Sequence, residues 1–258
     1  MRLIDTHCHL HMDYYKKDRD EVIKRAFEQG MVFMLTVGIS TKDSKKAYAL
    51  AHKYHGIYAS AGIHPHDAKS ACDNDFEEIR KLCQSNKVVA IGEIGLDFYR
   101  NLSPKNVQAE VFERLLTLAQ ELNIPVIIHT RDAHKETKET LKRFDVKGII
   151  HCFSGDKSDA KDYLDMGFYI SFAGNITYGN RELEDAAKAV PLERLLVETD
   201  APFLTPAPLR GRRNEPSFVK YTVAKVSKLK SVSENALVNH VVNNVNRLFS
   251  LKIEAAGG

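Results

Sequence analysis

The stretch LIDTHCHLHMDYY, from Leu3 to Tyr15, sets His7, His9 and His11 at alternate positions behind an apolar start. Alternate residues of a β-strand share a face, so His7 and His9 point together while Cys8 points the other way. Further along, the chain repeats the device of an apolar run with a metal-type ligand at or near its end. IGEIGLDFY carries Glu93, VIIHTRD carries His129, IIHCFSG carries His151 and LLVETDAPFL carries Asp200. A single histidine after a strand is commonly a polar residue bonded to a carbonyl. Five independent occurrences at equivalent positions need a shared cause. Four imidazoles and two carboxylates in one cavity would be poorly solvated unless a cation joined them, and two divalent metal ions satisfy that set.

The elements that must position these residues alternate along the chain. β-rich apolar runs at 2–9, 31–37, 57–63, 88–96, 125–130, 148–153, 168–174 and 195–199 are separated by amphipathic stretches. The clearest helix is Pro104–Leu122, with Val107, Val111, Leu115, Leu118 and Leu122 as a stripe, Ser103 as its cap and Pro104 in its first turn. Asn74 and Asp75, followed by Glu77 and Glu78, read as a capping-box start, and 236–249 reads as an extra C-terminal helix. Strand–helix alternation without a linker implies one α/β domain with a parallel sheet. Eight units in 258 residues fit a single (β/α)8 barrel over 1–252, with 253–258 as a frayed tail. An open doubly wound sheet fits less well, because no GxGxxG follows the first run. Only closure makes the first and last strands neighbours.

Composition narrows the classes. Thirty-seven Lys+Arg against 34 Asp+Glu is a formal +3, too weak for a protein that coats long nucleic acids but compatible with a compact phosphate pocket. Cys8, Cys72, Cys83 and Cys152 form no CxxC pair, and no signal-like apolar run follows Met1, so reduced thiols in a cytoplasmic protein are expected. No run approaches the ~18 apolar residues of a membrane span.

The blocks DTHCHL, GIHPH, GEIGLDF, PVIIHTRDA, HCFSG, ETDAPFL and RGRRNEP, in this order from Leu3 to Phe249, resemble the signatures of TatD-type metal-dependent deoxyribonucleases of the amidohydrolase superfamily. The resemblance implies that His7, His9 and Asp200 hold one metal, that His129 and His151 hold the other, and that Glu93 bridges them. Glu93 stands where many amidohydrolases use a carboxylated lysine. Two ions ~3.5–4 Å apart can share a bridging hydroxide and clamp phosphate oxygens. Asp200 would be the base. Mg²⁺ or Mn²⁺ is expected for turnover, with Zn²⁺ possible on imidazole-rich ligation. The implied activity is a 3′–5′ exonuclease on DNA with single-strand preference.

Other residues are expected to serve the substrate. His64 of GIHPH would contact phosphate or support the metal ligands, while His66 is as readily an exposed loop residue. Arg210, Arg212 and Arg213 form the one dense basic cluster; at least one of them, Arg210 or Arg213 foremost, would bind the nucleic-acid backbone, with Asn214 capping the following helix. Tyr99 and Phe98 are candidates to stack on a base. Arg131 would reach phosphate or pair with Asp132, and Asn175 would face substrate. Cys8 and Cys152 read as small core residues, and His11 as a solvent-side group or one behind the ligands. Two other classes remain: a carbonyl hydrolase such as a D-aminoacyl-tRNA deacylase, and a non-catalytic binding protein. Six intact ligands argue against the last.

Overall fold

The computed structural model describes residues 1–253. Its eight strands run β1 (Leu3–Cys8), β2 (Met31–Val37), β3 (Ile57–Ala61), β4 (Val88–Asp97), β5 (Val126–Arg131), β6 (Gly148–Ile150), β7 (Tyr169–Phe172) and β8 (Leu195–Val197). Each pairs in parallel with the next, in the order 1 to 8. Helices α1 (Arg19–Glu28), α2 (Thr41–Lys53), α3 (Asp73–Leu82), α4 (Lys105–Leu122), α5 (His134–Leu141), α6 (Lys157–Asp165) and α7 (Arg181–Ala189) fill the crossovers. Helices α8 (Val219–Lys230) and α9 (Glu234–Phe249) pack against β1 and β8. The result is a nearly closed (β/α)8 barrel. None of the described helices is long and apolar enough to cross a membrane. Of the proposed tail, residues 254–258 lie outside the described part; Ile253 exchanges two hydrogen bonds with the Asn246 side chain.

The strands are buried on both faces, as parallel strands between a barrel core and a helical coat must be. The seam between β1 and β8 is sewn by only a few contacts. His9 N–H donates to the Ala201 carbonyl at 2.7 Å and Asp200 N–H to the His7 carbonyl at 2.9 Å. Below them Asp5 accepts from the Thr199 amide and hydroxyl, at 2.9 and 2.5 Å, and Thr6 Oγ1 donates to the Val197 carbonyl. Burial pushes the Asp5 carboxyl up to about 8, despite these bonds. The seam therefore places both β1 histidines directly beside Asp200.

Strand β4 is the other special element. Its pairing with β5 shifts register between Ile91 and Ile94, at Gly92-Glu93. Gly95 adopts φ +138°, and a Cβ there would stand 2.0 Å from the His129 carbonyl, so only glycine lets β4 come this close to β5.

Several capping expectations are corrected. Helix α4 begins at Lys105, and Ser103 does not cap it. Its hydroxyl instead donates to the His66 carbonyl and accepts the Lys69 amide. Helix α3 begins at Asp73, with Cys72 at the cap position and the Cys72 amide bonded to Asp75. Asn214 caps no helix either. Buried, it donates to the Thr199 and Phe203 carbonyls and fixes the loop after β8. For Ser103 and Asn214 a tertiary partner outcompeted the helix end, whereas α3 keeps a local box built from Cys72 and Asp75.

Thr199→Val keeps the shape of the seam but strands the Asp5 carboxyl and the Ala201 amide that bond to Thr199 Oγ1. The expected loss is ~1–3 kcal/mol, read as a lower urea midpoint at unchanged m-value.

Candidate metal centre

Strands β1, β4 and β5 and the segments that follow β1, β3, β6 and β8 deliver His7, His9, Glu93, His129, His64, His151 and Asp200 to one end of the barrel. The Glu93 carboxylate lies at the middle, its backbone amide held by the Gly38 carbonyl. Its Oε1 is 3.0 Å from His129 Nδ1, 2.9 Å from His151 Nε2 and 3.3 Å from His64 Nε2. Its Oε2 faces the opposite set, 3.4 Å from His7 Nε2 and 3.8 Å from His9 Nε2. Asp200 Oδ1 closes that set at 3.7 and 3.5 Å from the same nitrogens. One carboxylate thus divides the cavity into two ligand groups.

The backs of the rings decide which nitrogens are free. His9 Nδ1 lies 2.8 Å from the Val37 carbonyl, so it carries the proton there and Nε2 presents a lone pair. His129 Nε2 donates to Asp97 at 3.0 Å, leaving Nδ1 free, and His151 Nδ1 faces Glu198 at 3.3 Å, leaving Nε2 free. His64 has the opposite polarity. Its Nδ1 accepts the His66 amide at 3.1 Å, so its proton sits on Nε2, directed at Glu93. His64 therefore turns a donor into the site, although its ring lies with Glu93 and His129 in a group whose atoms are close enough to surround an ion.

The inward nitrogens fit divalent ions. His7 and His9 Nε2 are 3.3 Å apart, and so are His129 Nδ1 and His151 Nε2. On His129 and His151, where both inward nitrogens are bare, facing lone pairs at this distance repel unless a cation stands between them. Two nitrogens each ~2.0–2.1 Å from one zinc-type ion, at a tetrahedral angle, stand roughly 3.3 Å apart.

Burial works on every group. It favours the neutral form of Glu93, but His151, His64 and His129 outweigh it and hold the carboxyl well below its ordinary range. Asp200 is likewise held low, with His9 and His7 overcoming burial. Burial lowers His7. It also opposes the charged forms of His9, His129 and His151, but carboxylate neighbours reverse it and raise all three. Burial takes His64 down to about 4.

A family model described as TatD related DNase matches residues 4–250. The chain belongs to the TatD family. It is 41% identical over 253 residues to the uncharacterized metal-dependent hydrolase YabD of Bacillus subtilis, covering 96% of this chain and 99% of the relative. It is 37% identical to the 3′-5′ ssDNA/RNA exonuclease TatD of Klebsiella pneumoniae, covering 97% and 99%. In three dimensions it resembles YJJV, a TatD homologue from Escherichia coli, with a TM-score of 0.92 at 30% identity, covering 97% and 99%. As a TatD protein it is a metal-dependent hydrolase acting on ester bonds.

Other expected site residues of this TatD chain are variously placed. Arg131 lies over the exposed Tyr99 ring, 4.0 Å from its centroid, and makes no ion pair with Asp132 among the described contacts. Phe98 is half-buried beneath Lys105. Arg210 lies over the Tyr178 ring at 4.4 Å. Arg213 is engaged elsewhere: it grips Asp18 with both terminal nitrogens, bonds the Tyr14 carbonyl and covers Tyr15. Its guanidinium ties the β8 loop to the β1 loop. Asn175 Nδ2 reaches Cys152 Sγ at 3.9 Å, and its Oδ1 is buried without a partner among the described residues. Cys8 is fully buried, whereas Cys152 is half-buried at positive φ.

His11 is not solvent-side. It is 3% exposed, with Nδ1 at 2.8 Å from Thr36 Oγ1 and Nε2 at 2.7 Å from Asp43, and it braces the β1 end against β2 and α2. His66 shares the Asp97 carboxylate with His129. Sequence reading missed Asp97 and Glu198. Both lie in quoted blocks and both keep parity with a recognised ligand, Asp97 with Glu93 and Glu198 with Asp200. That alternation was the available signal.

The folded His64 imidazole takes a proton only near pH 4, whereas an unfolded one does so near 6.5. His64 accordingly weakens the fold as pH falls from 6.5 towards 4. In the metal-free protein, its ring resonances should stay at the neutral position at pH 6, and His64→Gln should flatten the acid limb of the stability curve.

Proposed function

We propose that this TatD-family hydrolase is a 3′–5′ exonuclease on single-stranded DNA, working with two divalent ions. The observation that carries the reading is the split Glu93 carboxylate. His7, His9 and Asp200 would hold one ion on its Oε2 side, and His129 and His151 the other on its Oε1 side. Ions bound there supply Lewis acidity, making water a stronger acid and offsetting charge on a phosphate. Mg²⁺ or Mn²⁺ would support turnover, and the nitrogen-rich set also suits Zn²⁺.

The chain's own groups complete the chemistry. Asp200, kept ionised by His9 and His7, is the base that takes a proton from the attacking water. His64, neutral at cellular pH, directs its Nε2–H into the cavity and donates to a phosphate oxygen. At the barrel mouth, Tyr14, Tyr99, Leu102, Tyr178 and Phe203 are the exposed large apolar side chains of the described residues apart from Met1. All lie in loops that follow strands β1, β4, β7 or β8. Unstacked bases need such aromatic faces, and duplex DNA offers none to them. Arg131 and Arg210, already stacked on two of these rings, supply forks for phosphate. Arg213 is left out, since Asp18 occupies it. Four unpaired cysteines suit a reducing compartment, and the cytoplasm is the proposed location.

The test uses metal-stripped protein with Mg²⁺, Mn²⁺ or Zn²⁺ restored singly, and end-labelled single- and double-stranded DNA. A one-nucleotide ladder from the 3′ end of the single strand is expected, and absence of cleavage with all three ions would redirect the assignment to carbonyl hydrolysis. His9→Ala should lose the ion of its own group and Glu93→Ala should lose both, each together with nearly all cleavage. Tyr99→Ala should raise KM for single strands about tenfold, as loss of ~1–3 kcal/mol of stacking requires, with kcat little changed.

A further inference from the structure

Three of the four inward-facing imidazoles have an acceptor for the proton on their outer nitrogen: Val37, Asp97 and Glu198. His7 has none. Its Nδ1 is buried without a partner among the described residues, and so is Glu198 Oε2. A ring nitrogen of His7, one of His151 and a carboxylate oxygen of Glu198 lie within 4.8 Å of one another. The two rings are stacked, with centroids 4.0 Å apart and planes inclined by 12°. Glu198 is 0% exposed and lies beneath both. Its Oε1 accepts the Cys152 amide at 2.9 Å and faces His151 Nδ1 at 3.3 Å. A cation would meet that N–H donor, so the trio is poorly built as a third ion site.

We propose that Glu198 is a positioning residue that fixes both halves of the metal centre, taking the Nδ1 proton of His151 on Oε1 and that of His7 on Oε2 through one bridging water. The proposal rests on the two-ion reading given above. It makes one carboxylate responsible for the tautomer of one ligand in each group. His7 Nε2 is available to the first ion only while its proton stays on Nδ1, so an acceptor at Oε2 is required.

Glu198→Gln tests this selectively, because glutamine has one acceptor and one donor in nearly the same shape. The Cys152 amide and His151 Nδ1 hold the carbonyl oxygen at the Oε1 position. The new NH₂ then faces His7 and donates to the bridging water, which in turn donates to Nδ1 and moves the His7 proton to Nε2, into the His7–His9–Asp200 group. Zn²⁺ titration of the metal-free protein, followed by metal counting after dialysis, should give two ions for the wild type. The variant should keep one ion at wild-type affinity and lose about 10–100-fold for the other. The retained species should match that of His9→Ala, which deletes the same group directly.

Two ions at unchanged affinity in Glu198→Gln, or equal weakening of both, would overturn the proposal, since a merely structural carboxylate predicts one or the other. A wild type that takes up fewer than two ions would overturn the two-ion reading itself. Should the variant fail to fold, ring-nitrogen NMR of the Zn²⁺-loaded wild type decides. A proton on His7 Nδ1 supports the proposal, and one on Nε2 overturns it.

Discussion

A carboxylate that faces two sets of imidazoles inside a buried cavity governs the rest of this structure. Glu93 is 4% exposed, yet the surrounding histidines hold it ionised against the cost of burial. To reach that point it needs a shift in register between β4 and β5, and it needs Gly95 to let the strands approach. It also needs β1 brought against β8, so that His7, His9 and Asp200 stand on its far side. Seam, bulge and glycine serve one placement.

Around that centre, ligand identity is a matter of which ring nitrogen is bare. His129 and His64 both approach Glu93 Oε1, at 3.0 and 3.3 Å, and from their distances alone they are nearly equivalent. Their outer partners separate them. Asp97 takes the outer proton of His129 and so frees the inner nitrogen, while the His66 amide donates to His64 and keeps its proton inward. Of the five imidazoles, His9, His129 and His151 thus turn a bare nitrogen inward and His64 a donor, a division that a hydrolytic centre with a charged substrate can use.

The mouth shows a comparable division among cations. Arg210 and Arg213 belong to one basic run, but only Arg210 is presented on an aromatic ring at the surface. Arg213 is consumed by Asp18, on a segment nearly two hundred residues earlier in the chain. His11 is similar, since it shares strand parity with His7 and His9 but is captured by Thr36 and Asp43. Ser103 and Asn214 lost their expected capping roles in the same way.

What the sequence determined by itself was the class of fold and the inventory of the site. Alternating apolar runs fixed eight parallel strands, and the placement of His7, His9, Glu93, His129, His151 and Asp200 at their ends identified the groups that now lie within a few ångströms. Those features are legible because strand periodicity and side-chain type are local properties of the chain. Only the tertiary structure decided which nitrogen of each imidazole faces inward, which arginine is free and which buried acids stand behind the rings. Those outcomes depend on partners such as Asp97, Glu198 and Asp18, brought in by packing from distant elements. A hydrogen bond's direction is set by that meeting, and no spacing along the chain encodes it.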